Sequence, residues 1–488
     1  MSLSNLYRPS DQIMKNRLLA RRRIRRLGTF TTLAACIAVS LSGCDSKQIL
    51  VVTDPDVARP GALDAPSALP ALRAGAVGAF GIAYNGQASD EEQVQLSGSL
   101  GDELINTETF PTRIEFDQRA QTLGNTSLVG TFVDINRARG LSTRAIAGFQ
   151  KFAKTTGDST GFPEVLALGG LTYVLLAENY CGAVPLSVVN ADGSFTFGPA
   201  LTVNQQLDSA ISKFNTALAV TGAPLTATFK QLAQVAKGRA LLDKGDYANA
   251  ALAVAGVATT FQYNYQHSQT TAGQNNGTWL LTNSVGRFGV AARKGGNGLP
   301  YQTDGDTKNV GFDPRVANAV TTSNGGHGFD KGIPAGELQY VQQKFPLRDS
   351  PITIADGVEA RLIEAEAALQ TDPVAALTIL NALRSNAALL TLRGYAAGSL
   401  PPLTLQATAA AQVDQLFKER AYWLFLTSHR LGDMRRLIRQ YGRGSETVFP
   451  TGAYFKGGTY GTDVNSPVPQ REQNNPNYTP GSCKQNEA

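Results

Sequence analysis

The 488-residue chain predicts an all-α dominated protein made of antiparallel helix pairs and interrupted by one large loop-rich insertion. Three observations predict it. Apolar residues recur at helical spacing through most of 68–262 and again over 354–441. The connection Asp243-Lys244-Gly245-Asp246-Tyr247 is too short for anything but two antiparallel helices. From 264 to 349, Gly, Asn, Thr and Gln dominate and no helical period is sustained.

In chain order, a basic run (Lys15, Arg17, Arg21, Arg22, Arg23, Arg25, Arg26) precedes an apolar run over 30–41. The apolar run is far short of the ~20 residues a spanning helix needs, so residues 1–43 read as a cleavable export signal. Leu41-Ser42-Gly43-Cys44 closes it and resembles the lipobox of bacterial lipoproteins. That resemblance implies that Cys44 becomes an acylated first residue, anchored by several chains at roughly 0.8 kcal/mol per buried CH₂. Removing 1–43 takes away eight of the 44 Lys and Arg and only Asp11 of the 39 Asp and Glu. The remainder holds 36 basic and 38 acidic side chains, about −2 in all, so the basic charge belongs to the leader and nucleic-acid binding is not expected.

Residues 44–67, with Asp54-Pro55 and Arg59-Pro60, read as a tether to the body, because proline breaks helices. Helices are expected over 68–82, ending near a polar loop, then over 128–152, 162–180, 203–218, 229–242 and 247–257. Gly182 is expected to take the left-handed conformation that closes the third of these. The pair 229–242 and 247–257 is similar to a tetratricopeptide hairpin, with Gly238 and Ala240 where helices approach closely and Gly245 at the turn. After the insertion at 263–353, helices follow over 354–369, 374–385 and 405–441, the last interrupted near Ser428, and residues 442–488 form an irregular tail. The body, 68–488, is taken as a single domain.

The residues set bounds on chemistry. Cys36 leaves with the leader and Cys44 carries lipid, so Cys181 and Cys483 remain, either paired to pin the tail or as two free buried thiols. The only histidines are His267, His327 and His429, and neither a zinc motif nor a nucleophile elbow occurs, so no enzyme activity is expected. Asp304-Gly305-Asp306 matches the start of a calcium loop, but Lys308 stands where the next ligand belongs, so no cofactor is assigned beyond that fragment.

Five stretches in the same order resemble the SusD/RagB family of outer-membrane nutrient-binding lipoproteins. They are Tyr173 through Pro185-Leu186; 361–366; Leu380-Asn381-Ala382-Leu383-Arg384; Glu419-Arg420 with His429-Arg430, Asp433 and Arg435-Arg436; and Pro467-Val468-Pro469 before Asn475-Pro476. Trp423, Thr427 and Ser428 depart from the family pattern. The resemblance implies a helical superhelix facing the cell exterior that binds an oligomeric nutrient, glycan or peptide, and delivers it to a SusC-type TonB-dependent barrel. It further implies that loop aromatics stack on sugar rings, which nominates Trp279, Tyr263, Tyr265, Phe288 and Tyr301, with Asn275, Asn276 and Asn283 beside them. The charges Glu419, Arg420, His429, Arg430, Asp433 and Arg436 within an apolar helix read as a structural network, since a buried charge is costly unless paired. A periplasm-facing tetratricopeptide scaffold lipoprotein is the alternative, kept open by Asp45 directly after Cys44.

Overall fold

The computed structural model describes residues 63–88, 90–155, 157–190, 194–222, 225–322 and 338–488. The export signal, Cys44 and most of the tether lie outside the described residues, as does His327. The first half is helical: α1 (Leu69–Asn85), α2 (Gln93–Leu100), α3 (Pro111–Asp117), α4 (Thr126–Phe152), α5 (Phe162–Asn179), α6 (Val203–Ala219), α7 (Thr226–Asp243) and α8 (Tyr247–Val254). After the insertion come α9 (Gly357–Leu369), α10 (Pro373–Ser385), α11 (Ala387–Leu392), α12 (Ala409–Trp423) and α13 (Arg430–Arg439).

Local chemistry starts these helices where the structure has them. Asn125, Asp246, Asp356, Asp372, Asn386 and Thr408 each accept a backbone N–H in the first turn, and Thr202 and Gln205 form a capping box. Gly245, at φ 76, turns α7 into α8. Helices then pack in sequence, α4 on α5, α5 on α6, α6 on α7, α7 on α8, α8 on α9 and α9 on α10, with α1 closing onto α4. α5 is buried along nearly its whole length and forms the spine. Two apolar cores result, one around α1 and α4–α8, the other joining α9, α10, α12 and α13 through Leu362, Leu380, Leu416 and Leu431.

Strands are short and paired in twos. β1 (Leu104–Asn106) pairs antiparallel with β7 (Phe288–Val290). β2 (Val184–Pro185) pairs with β5 (Ala200–Leu201), and β3 (Val188–Val189) with β4 (Phe195–Thr196). β6 (Gln262–Tyr265) pairs with β10 (Ile352–Asp356), and β8 (Asn318–Val320) with β9 (Tyr340–Gln342). The insertion is therefore framed by the β6–β10 ladder that closes its two ends.

The last long helix is broken where expected, near Ser428, into α12 and α13, and the break holds Leu426 at φ 52 and Ser428 at φ 55. Side chains from α2 and its following turn satisfy the freed groups: Leu426 N–H donates to Glu103 Oε1 at 2.9 Å, and Ser428 Oγ lies 3.2 Å from Ser97 Oγ. After α5 it is Ala183, at φ 64, and not Gly182, that turns left-handed. The expected helix start at 354 is strand β10, with α9 beginning at Gly357. Among the described residues no helix is long and apolar enough to cross a membrane.

Candidate functional site

The charged residues of α12 and α13 turn inward. Arg420 meets Asp433 through two parallel bonds, Nε to Oδ2 and Nη2 to Oδ1, each 2.9 Å. Arg436 donates to Asp433 at 2.7 Å and to both Glu366 oxygens at 3.1 and 3.2 Å. Burial disfavours the Asp433 carboxylate, but Arg420 and Arg436 outweigh it and hold its pKa well below the usual range. The other members of the group go elsewhere. Glu419 accepts from Arg315 at 2.6 Å and Arg384 at 2.7 Å, and Arg430 is bidentate to Asp102 at 2.7 and 2.8 Å.

His429 Nε2 lies 2.8 Å from Arg239 Nη1 and 3.1 Å from Glu359 Oε1, and its Nδ1 lies 2.7 Å from Thr427 O. Burial and Arg239 push its pKa down against the opposing pull of Glu359. The six residues thus brace four places between helices, and only Arg420, Asp433 and Arg436 share one cluster. Arg435 Nη1 reaches the carbonyls of Ala177 (2.8 Å), Glu178 (2.6 Å) and Tyr180 (3.1 Å), which closes the C-terminal end of α5.

The loop aromatics divide in two. Phe288 and Tyr301 have no exposed surface: Phe288 belongs to β7 inside the first core, and Tyr301 stacks on Phe425 with centroids 5.2 Å apart. Neither ring can meet a ligand, which corrects the expectation for both. Strand periodicity puts Tyr263 and Tyr265 on one face of β6. Tyr263 donates to Glu164 at 2.6 Å, and Tyr265 packs where Gly81 of α1 leaves no room for a side chain. Both are partly buried braces.

Trp279, likewise half-buried against the first core, ends the short helical turn Gly277–Trp279. Asn276 accepts its N–H at 2.9 Å, and the Arg348 guanidinium lies 5.6 Å from its ring centroid. Beneath it, Asn85 at the end of α1 is fully buried and accepts Thr278 Oγ1 at 2.6 Å and Gln95 Nε2 at 3.2 Å. Asn85 Nδ2 lies 3.0 Å from His267 Nε2, and burial pushes that histidine down to about 4. Any side chain at Gly277 would strike the Asn85 carbonyl, so this close approach requires glycine. Outside this segment, Phe110, the residue before α3, is 47% exposed, with the Arg113 and Arg287 guanidiniums 5.5 and 5.9 Å from its centroid. Sequence reasoning missed Phe110; its signal was an aromatic just before Pro111, at the start of a helix too short to show a period.

Neither a family model nor a curated protein sequence matches the chain. Solved structures do. A SusD superfamily protein from Bacteroides thetaiotaomicron superposes with a TM-score of 0.61 at 15% identity, covering 84% of this chain and 99% of that one. A SusD-like protein from Bacteroides fragilis gives 0.54 at 16% identity over 78% and 91%. A SusD-like carbohydrate binding protein from Bacteroides vulgatus gives 0.52 at 14% identity over 76% and 83%.

The chain has the SusD fold.

Within this SusD fold the tail is tied to the spine: Cys181, just past α5, is disulfide-bonded to Cys483, with Cα atoms 5.2 Å apart. The calcium-like fragment is otherwise occupied. Lys418 and Tyr422 donate to Asp304 Oδ2 at 2.9 and 2.8 Å, and Asp306 accepts the Lys308 N–H. Among the described residues no group of three or more His, Cys, Asp or Glu side chains is arranged to hold a metal ion.

Proposed function

We propose that this protein is a surface lipoprotein, anchored through Cys44 in the outer membrane, that captures an oligomeric carbohydrate and passes it to a SusC-type TonB-dependent barrel. Capture breaks no bond. The observation that carries the reading is the likeness of fold, across most of the chain, to a SusD-like carbohydrate binding protein. Trp279 and Phe110 support it, because an apolar ring with a guanidinium close by suits a sugar ring, whose C–H face is apolar and whose edge is polar. The same reading assigns 1–43 to the leader, 44–67 to the tether and 68–488 to one body with its ligand side in the insertion.

A glycan array probed with the chain from Cys44 onward tests it. The expected result is retention of a limited glycan set, weakened about tenfold by Trp279→Ala, the size of one lost aromatic contact. Retention of peptides and no glycan would overturn the carbohydrate reading. The stacked helix pairs α6–α7 and α9–α10 also suit a periplasm-facing tetratricopeptide scaffold. Protease added to intact cells separates the two, since a surface protein is cut and a periplasmic one is not.

A further inference from the structure

A concavity is lined by residues other than Trp279 and Phe110. It is a surface cleft of about 320 Å³ between the loop 303–313 of the insertion and the segment 399–401 that follows α11, with Arg384 of α10 at its base. That volume falls at the lower end of the roughly 300–1,000 Å³ typical of small-molecule sites.

Three charged groups line it, and each already has its counterion within the protein. Asp304 is held by Lys418, Asp313 by Arg315 at 2.7 Å, and Arg384 by Glu419 at 2.7 Å. The lining therefore presents no net charge to a ligand, and a charged ligand would lose hydration there without a counterion to replace it. Hydrogen-bonding capacity remains. Both contacts to Asp304 fall on Oδ2, which leaves Oδ1; Arg384 uses Nε on Pro401 O and Nη1 on Glu419, which leaves Nη2. Ser399 Oγ is buried with no hydrogen-bond partner among the described residues. The half-buried Phe312 ring, with Leu400 and Pro401, supplies apolar wall.

We infer that this cleft is a second binding site, for a single neutral sugar unit of an oligosaccharide. An aromatic and aliphatic wall facing internally neutralised hydrogen-bonding groups matches the chemistry of an uncharged polyhydroxylated ring. This inference rests on the carbohydrate reading above but uses none of the same residues. The cleft would hold one part of a chain whose other part lies on Trp279, or a separate chain.

Saturation-transfer NMR with neutral methyl hexosides, and with methyl glucuronide as the charged comparison, tests it on the wild type and on Phe312→Ala, Ser399→Trp and Trp279→Ala. Ser399→Trp fills the cleft, and Phe312→Ala removes its wall, so one remains informative if the other fails to fold. Transfer to a neutral hexoside is expected to survive Trp279→Ala, to weaken three- to tenfold in Phe312→Ala measured on the Trp279→Ala background, and to vanish in Ser399→Trp on that same background. Transfer unchanged in both cleft variants overturns the cleft, and its loss in Trp279→Ala alone does so while leaving the carbohydrate reading in place. Glucuronide bound as well as the neutral hexosides overturns the neutral specificity. No transfer from any hexoside overturns the cleft, and only an empty glycan array would then overturn the wider reading as well.

Discussion

The helical body and the insertion satisfy their buried polar groups by different means. In the body, charged side chains pair with one another: Arg420 with Asp433, Arg430 with Asp102, and Arg384 with Glu419. In the insertion, amide side chains pair with backbone carbonyls. Asn276 donates to Ser350 O at 2.8 Å, Asn283 to Gln342 O at 2.9 Å, Gln339 to Phe288 O at 2.8 Å, and Asn318 to Tyr301 O at 3.0 Å. The reason is the length of the elements. A helix satisfies its own backbone, so polar side chains in its interior need each other; strands of three residues leave carbonyls unpaired, and Asn and Gln fill them. The amide-rich composition of the insertion, which at sequence level looked like ligand chemistry, is in these places the means by which the loops are held.

Four measurements break or sharpen that contrast. The largest effect belongs to the body. Arg420→Ala leaves Asp433 buried without its bidentate partner and is expected to cost about 3–5 kcal/mol in urea unfolding; a loss below about 1 kcal/mol would show that the ion pairs are not what holds the body. Next is the link between spine and tail. Cys483→Ser opens a disulfide spanning a sequence separation of 302 residues and should cost about 2–5 kcal/mol. Limited proteolysis should then cut the tail first, and an unchanged cleavage pattern would contradict this.

In the insertion, Asn276→Ala should cost about 1–3 kcal/mol by stranding a buried carbonyl, with proteolytic cuts appearing near 276 and 350 before the body opens. Global unfolding without early cuts would mean that the insertion and body share one cooperative unit. The last measurement concerns pH. His267 is held neutral in the folded chain, its pKa lowered by burial from 6.5 to about 4. The unfolded chain therefore takes up a proton first, and stability falls as pH drops from 6.5 towards 4. His267→Asn should flatten that part of the Tm–pH profile; equal slopes in the two proteins would rule out this contribution.

Legibility differed between the same two regions. α4, α5, α6 and α7 lie within a few residues of where apolar spacing puts them, because a helix is set by its own sequence and its capping residues. The short strands were invisible, since β1 finds its partner β7 near residue 289 and three residues carry no period. The candidate site suffered for that reason. Trp279 was nominated and is half-buried against the core, whereas Phe288 and Tyr301, aromatics of the same stretch, are fully buried by pairings that only the folded chain creates.

The sequence by itself determined the helices, the turn at Gly245 and the presence of charged residues that burial would force into pairs. The fold alone set which charge meets which, that Cys181 reaches Cys483, and which aromatic rings are buried. Each of those outcomes depends on groups far apart in the chain arriving at one place, and neither period nor composition encodes such distances.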